Sequence, residues 1–244
     1  MKPTHCPFRL LATGLLAGSA ASAGVLITGQ HSGHTYQVWG HDGVTHDERS
    51  YLDAATFAAG LSFAGEPGRL VRVDDAAENA FVHGLLVAVN ASLTTTVADG
   101  GGVRYAWLGA DDLAVEGVWR WHSGGDQFWQ GGPGGSSVGG LHQNWAVGTS
   151  GQSEPDNFLG TQDAAAMVLD PYPAAFPGLL GQPGQWNDIN HLNVLPFIVE
   201  FAAVPEPAAA GLVAGALLLF AGWRARACRA ATAPVQPSPG RPGR

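Results

Sequence analysis

Two short stretches carry residue types suited to holding a hard cation: Glu154-Pro155-Asp156-Asn157, and Asn187-Asp188 further along the chain. Calcium takes about six to eight oxygens at roughly 2.3 to 2.6 Å, drawn from carboxylates, amide carbonyls, backbone carbonyls and water. Glu154, Asp156, Asn187 and Asp188 supply only such atoms. The same residue types are ordinary turn formers, so loop shaping is the plainer reading of each stretch taken singly. Glu154 and Asp188 could also be read as the carboxylate pair of a glycoside hydrolase, but nothing in the sequence marks a water-excluding pocket or a perturbed acid. A non-enzymatic role is therefore expected. His31, His34, His41 and His46 are scattered about a strand and a loop, without a carboxylate at tight helical spacing, and no transition-metal site is expected from them. His122, His142 and His191 fall near loops and receive no role.

The elements that would position these residues follow from periodicity. A strand is expected over His34 to Trp39, and a helix from about Asp47 to Gly60 with Tyr51, Ala55 and Ala58 on one face. Arg69 to Val73 alternates like a strand. Asp75 with Glu78 three positions later is a variant capping box, opening a second helix in which Phe81, Leu85 and Ala88, and Val82, Leu86 and Val89, recur at helical spacing. Short strands are expected at Tyr105 to Gly109, Val118 to His122, Ala164 to Leu169 and Pro196 to Phe201. The glycine-dominated stretch from Ser123 to Asn144 reads as a long surface loop that buries little. The class is α+β, helices first and short antiparallel strands later.

The two ends have a different character. Lys2 and Arg9 precede an apolar run from Leu10 to Ala20, and Ala21-Ser22-Ala23 has the small-x-small pattern of a cleavage site, so residues 1–23 are expected to be a signal peptide. Val204-Pro205-Glu206-Pro207 leads into an apolar stretch over residues 208–223, followed by Arg224, Arg226 and Arg229. As a helix that stretch would span roughly 24 Å, short of the roughly 30 Å of a bilayer core, and the arginines should stay cytoplasmic. Residues 231–244, rich in proline and arginine, are expected to be disordered.

Composition bounds the rest. With 45% hydrophobic and 13% charged residues, the 244-residue chain can bury a sizeable core and is not disordered as a whole. Five arginines face nineteen carboxylates in residues 24–203, a formal charge of −14 against −8 for the full chain. Such a surface repels nucleic acid and favours cations. Cys6 and Cys228 both lie outside residues 24–203, so that region has no disulfide, and a metal there must use oxygen or nitrogen ligands.

The landmarks along residues 33–202 resemble the C-type lectin-like domain in their order: Asp74 to Val82 on the second helix, Trp107-Leu108-Gly109, Glu116 to Trp121, Asn144-Trp145, Glu154 to Asn157, Trp186 to Asp188, and a closing strand from Phe197 to Phe201. The resemblance implies a C-type lectin-like fold over residues 24–203, with two helices, short antiparallel sheets and a long loop region. Trp107, Trp119 and Trp121 are expected to be core residues, with Trp145 and Trp186 packing under the site loop. It also implies a calcium site with Glu154, Asp156, Gln162, Asn187 and Asp188 as ligands, and a sugar whose neighbouring hydroxyls contact the ion, Glu154, Asp156, Asn187 and Asp188. In that family the bond corresponding to Glu154-Pro155 is cis.

This chain departs from the usual sugar-binding form twice, with Asp156 where an asparagine is usual and Gln162 where a glutamate is usual. The two changes offset in charge, and Asp163 is a substitute for Gln162 if the loop register slips. The C-terminal arrangement over residues 204–230 resembles the PEP-CTERM sorting signal, with Pro205-Glu206-Pro207 as its motif. That resemblance implies an exosortase-type processing peptidase, membrane association before processing, and placement at the cell envelope or in an exopolysaccharide matrix. The expected function is a calcium-dependent carbohydrate-binding protein. The alternative is a structural or protein-binding surface module on the same fold.

Overall fold

The computed structural model describes residues 24–41, 43–148, 153–171 and 181–203. The expected signal peptide, sorting signal, apolar stretch and disordered tail lie outside the described residues. Among the described residues no helix is long and apolar enough to cross a membrane.

The elements run β1 (Val25–His31), β2 (His34–Trp39), α1 (Tyr51–Ala59), β3 (Ser62–Phe63), β4 (Glu66–Leu70), α2 (Ala76–Ala88), β5 (Thr96–Val97), β6 (Val103–Asp111), β7 (Val118–Trp121), β8 (Gln127–Gln130), β9 (Ser136–Ser137), β10 (Ala164–Val168), β11 (Trp186–Ile189) and β12 (Phe197–Phe201). The main path through the sheet is β1-β2-β12-β6-β7-β8-β9, and β10 leaves it by pairing with both β6 and β11. Among the described residues, two α-helices, short and mostly antiparallel strands, and long connections agree with the α+β architecture expected from the sequence.

Local signals explain most boundaries. Asp75 caps α2 in extended backbone and accepts the Glu78 N–H at 2.8 Å. The Glu78 carboxylate reaches back one residue further than a capping box would, accepting from the Asp74 N–H at 2.7 Å and from the Tyr36 hydroxyl at 2.6 Å. Helix α1 begins four residues later than expected because Arg49 is drawn into a bridge with Leu195, each N–H donating to the other's carbonyl at 3.0 Å. Gly109 packs against the chain at Leu70 and Val71, where a β-carbon would lie 2.7 Å from the Leu70 carbonyl oxygen. That contact explains glycine after Trp107-Leu108.

One expectation is corrected. Residues 123–144 are not merely a surface loop, because β8 and β9 form within them and Phe128 and Trp129 are buried. The aromatic residues among the glycines carry that burial. Phe128 stacks on Trp121 with ring centroids 4.8 Å apart, and Trp119, Trp145 and Trp186 complete an aromatic cluster beneath α2. On the other side of the sheet, Tyr51, Ala54, Ala55 and Ala58 of α1 pack with Trp39, Trp107 and Phe197. The five tryptophans named from the sequence as packing residues are all buried.

Candidate functional site: two carboxylate clusters

Strand β11 pairs antiparallel with β10, setting Asp188 opposite Ala165 and Asn187 opposite Ala166. Small partners on β10 leave room above the strand for the segment that precedes it. That segment enters through Glu154, whose N–H donates to the Ala146 carbonyl at 2.8 Å, and the Glu154-Pro155 bond is cis. The next two backbone N–H groups, of Asp156 and Asn157, donate to Asp188 Oδ1 and Oδ2 at 3.1 and 2.7 Å. Asn157, Leu159 and Gly160 then take left-handed backbone, curling the segment over.

The result is a group in which one oxygen from each of Glu154, Asp156 and Asp188 lies within 4.8 Å of the others. Glu154 and Asp188 are buried and Asp156 is half-buried. Glu154 Oε2 is sealed from solvent and accepts no hydrogen bond. None of the ion pairs among the described residues includes any of the three. Burial, and then the charges of Asp188 and Asp156, hold the Glu154 carboxyl well above the usual carboxylate range. Asp188 is also raised by burial, against the pull of the Asn157 and Asp156 N–H groups, and Asp156 is raised by burial. Three carboxylates held this close repel one another, which favours the protonated form of Glu154. A divalent cation relieves that repulsion better, because it answers all three charges at once.

The two amide residues named from the sequence sit differently. Asn187 Nδ2 donates to the Tyr105 hydroxyl at 3.0 Å. Gln162 is buried, with Oε1 accepting the Phe158 N–H at 2.7 Å and Nε2 donating to the Asp99 carbonyl at 3.0 Å. Gln162 thus clasps the curled segment to the body of the fold.

Asp163 does not stand in for Gln162. It belongs to a second cluster, with Asp112 and Glu116, whose oxygens again lie within 4.8 Å of one another. Asp112 is buried, accepting the Gly117 N–H at 2.8 Å through Oδ2, while Oδ1 has no hydrogen-bond partner. Burial is the main cause that pushes Asp112 up to about 7, and the charges of Glu116, Asp163 and Asp188 add to it. His191, which received no role from the sequence, places Nδ1 2.8 Å from Asp163 Oδ2. The readable signal for this cluster is the Asp112-x-x-x-Glu116 spacing in the turn before β7.

Of His31, His34, His41 and His46, two meet. His41 and His46 bring their Nε2 atoms to 2.9 Å, and the Gly43 N–H donates to His41 Nδ1 at 2.9 Å. The His41 proton therefore sits on Nε2 and points at His46, a hydrogen bond rather than a pair of free ligand atoms.

No protein-family model matches this chain, and no curated protein sequence matches it. Solved structures similar to it include the C-type lectin CEL-I from Cucumaria echinata, at 19% identity with a TM-score of 0.47, covering 72% of this chain and 96% of that one. The EPNH mutant of CEL-I is similar at 19% identity with a TM-score of 0.49, covering 72% and 95%. The carbohydrate-recognition domain of the mouse scavenger receptor C-type lectin is similar at 21% identity with a TM-score of 0.44, covering 73% and 97%.

Proposed function

We propose that residues 24–203 form a calcium-dependent carbohydrate-binding module of the C-type lectin-like kind. The observation that carries this reading is the Glu154 Oε2 atom, buried beside Asp156 and Asp188 with neither a hydrogen bond nor a cationic side chain to meet it. Calcium, a hard ion that accepts only oxygens of this type, completes the group. Glu154, Asp156 and Asp188 supply charge, and Asn187 and the remaining lone pair of Gln162 Oε1 supply neutral oxygens. Asp112, Glu116 and Asp163 are proposed to hold a second ion.

The sugar engages the first ion through neighbouring hydroxyls, with Glu154, Asp156, Asn187 and Asp188 as hydrogen-bond partners. An ionised Asp156 can only accept, where an asparagine would also donate. Sugar hydroxyls must therefore donate at that position, which changes selectivity relative to the usual motif. Hydrolysis fits less well. A glycosidase pair straddles the scissile bond about 5 to 5.5 Å apart or more, whereas Glu154 and Asp188 lie close enough for one to hold a proton toward the other.

The terminal segments support export, recognition by an exosortase-type peptidase, and display at the envelope or in the exopolysaccharide matrix. That part of the proposal rests on the sequence motifs alone. A glycan array run with calcium and with chelator, and repeated with Asp188→Ala, tests the central reading. Glycan binding that survives both chelator and Asp188→Ala rules out a calcium bridge. No glycan binding, together with no calcium-induced rise in thermal midpoint, favours the structural module instead.

A further inference from the structure

An open cleft of about 490 Å³, with Phe158, Leu159, Leu192, Ala98 and Thr161 in its lining, adjoins the segments that carry the first carboxylate cluster. Two of its lining residues continue those segments: Phe158 follows Asp156 by two residues, and Leu192 follows Asp188 by four. The Phe158 N–H itself donates to Asp156 Oδ1 at 3.0 Å. The cleft lining is thus one hydrogen bond away from a member of the carboxylate group.

Several polar atoms of the cleft are already engaged. Asp99 accepts the Asn190 N–H at 2.9 Å through one oxygen and Asn193 Nδ2 at 2.9 Å through the other. Asn190 Oδ1 accepts the Leu192 N–H at 2.9 Å, and the Asn190 carbonyl accepts from Asn193 Nδ2 at 3.1 Å. The cleft therefore offers a ligand mostly carbon. No lining residue is cationic, so an anionic substituent finds no partner there.

The apolar lining is held in place at a cost. Leu159 is 78% exposed and sits at φ 60°, ψ 10°, a region that branched and bulky residues avoid. Leu192 is 68% exposed and Phe158 52%. Exposed leucines usually need no explanation. A leucine kept in left-handed backbone, sharing the lining of a cleft with a second exposed leucine, does need one.

We propose that this cleft binds the apolar substituent of a neutral sugar, an alkyl, acyl or aryl group attached to the ring whose hydroxyls sit on the calcium. The inference rests on the calcium reading above. It specifies the ligand as a neutral, hydrophobically substituted glycan rather than a bare or acidic one.

The test is calorimetric titration of the full chain, in calcium and in chelator, with methyl, hexyl and phenyl glycosides of glucose, galactose, mannose and fucose. For the sugar that binds, the hexyl or phenyl glycoside is expected to bind about tenfold more tightly than the methyl one, as partial burial of the chain or ring implies. The Leu159→Asn, Leu192→Ser double variant should erase that difference and leave the methyl glycoside and calcium affinities unchanged. Asparagine tolerates left-handed backbone better than leucine, so the variant does not strain the fold. Equal affinity for all three aglycones, with binding still dependent on calcium, overturns the cleft proposal and leaves the calcium reading standing. A preference that persists in the double variant or in chelator overturns it too, as does calcium binding with no affinity for any glycoside. Failure to bind calcium at all overturns both.

Discussion

The Asp188 carboxylate accepts the Asn157 backbone N–H at 2.7 Å, so a residue of β11 holds down the segment that brings Glu154 and Asp156 to it. One side chain thereby does two things: it shapes the site and contributes charge to it. Variants at Asp188 will separate these roles only if the replacement keeps an oxygen.

Saturating calcium, at about 100 times its dissociation constant, should stabilise the native state by ~2.7 kcal/mol and raise the thermal midpoint by roughly 5 to 10 °C. In Asp188→Asn the rise should vanish while the protein still folds, because the amide oxygen can accept one of the two N–H groups. Asp188→Ala should also lose the rise and should unfold at a lower temperature than Asp188→Asn without calcium. Differential scanning calorimetry with calcium and with chelator measures all three.

The pH dependence has a definite sign. Glu154 and Asp188 bind protons more tightly in the folded chain than unfolded, so the stability they contribute without calcium is present at acid pH. It is lost as pH rises from the unfolded carboxylate value, about 4, through their raised folded values. Calcium compensates for that loss, so calcium-induced stabilisation should grow with pH. In chelator, Glu154→Gln should flatten the decline relative to wild type between pH 5 and 8. Urea unfolding at a series of pH values reads the difference directly.

Gln162→Ala removes both the acceptor for the Phe158 N–H and the donor to the Asp99 carbonyl. Calcium affinity should fall, by about tenfold or more if the segment loosens by ~1.4 kcal/mol. Gln162→Glu restores the acceptor but adds a fourth negative charge near the group. It should lower stability in chelator and raise affinity for calcium, and isothermal titration distinguishes the two variants.

Asn79 lies away from the ligand group yet positions the start of β11, accepting from Trp186 Nε1 at 2.8 Å and donating to the Gly184 carbonyl at 3.0 Å. Asn79→Ala leaves a buried indole N–H and a carbonyl without this partner, and should cost about 1 to 3 kcal/mol in chemical unfolding. Its effect on calcium affinity should be small if β11 stays paired with β10.

How much of this was legible beforehand depended on whether the signal was local. Asp75 and Glu78, the helical spacing of α2, and the apolar strands β6, β10 and β12 are each written within a few residues, and the structure has them where expected. Strand β11 was not assigned, because Trp186-Asn187-Asp188-Ile189 carries two polar residues that are buried only by its pairing with β10. Strands β8 and β9 were hidden for the related reason that glycine outweighed Phe128 and Trp129 in the local composition. In the site, Glu154, Asp156 and Asp188 were named and the structure brings them together. The Asp112, Glu116 and Asp163 cluster was missed because its members meet only through the pairing of β6 with β10, where Ala164 stands opposite Asp111. Asp163 was noticed, but its neighbour Gln162 bonds the Phe158 N–H and the Asp99 carbonyl while Asp163 joins the second cluster. That division is set by backbone direction, which spacing alone does not reveal.

The aromatic cluster beneath α2 has one more consequence. Trp186 directly precedes Asn187 and Asp188, and its ring lies 5.8 Å from that of Trp121 and 6.0 Å from that of Trp145. Excitation absorbed by any of these indoles can pass to the one nearest the carboxylates. Native indole fluorescence is therefore a label-free readout with which the proposed ion and sugar binding can be tested.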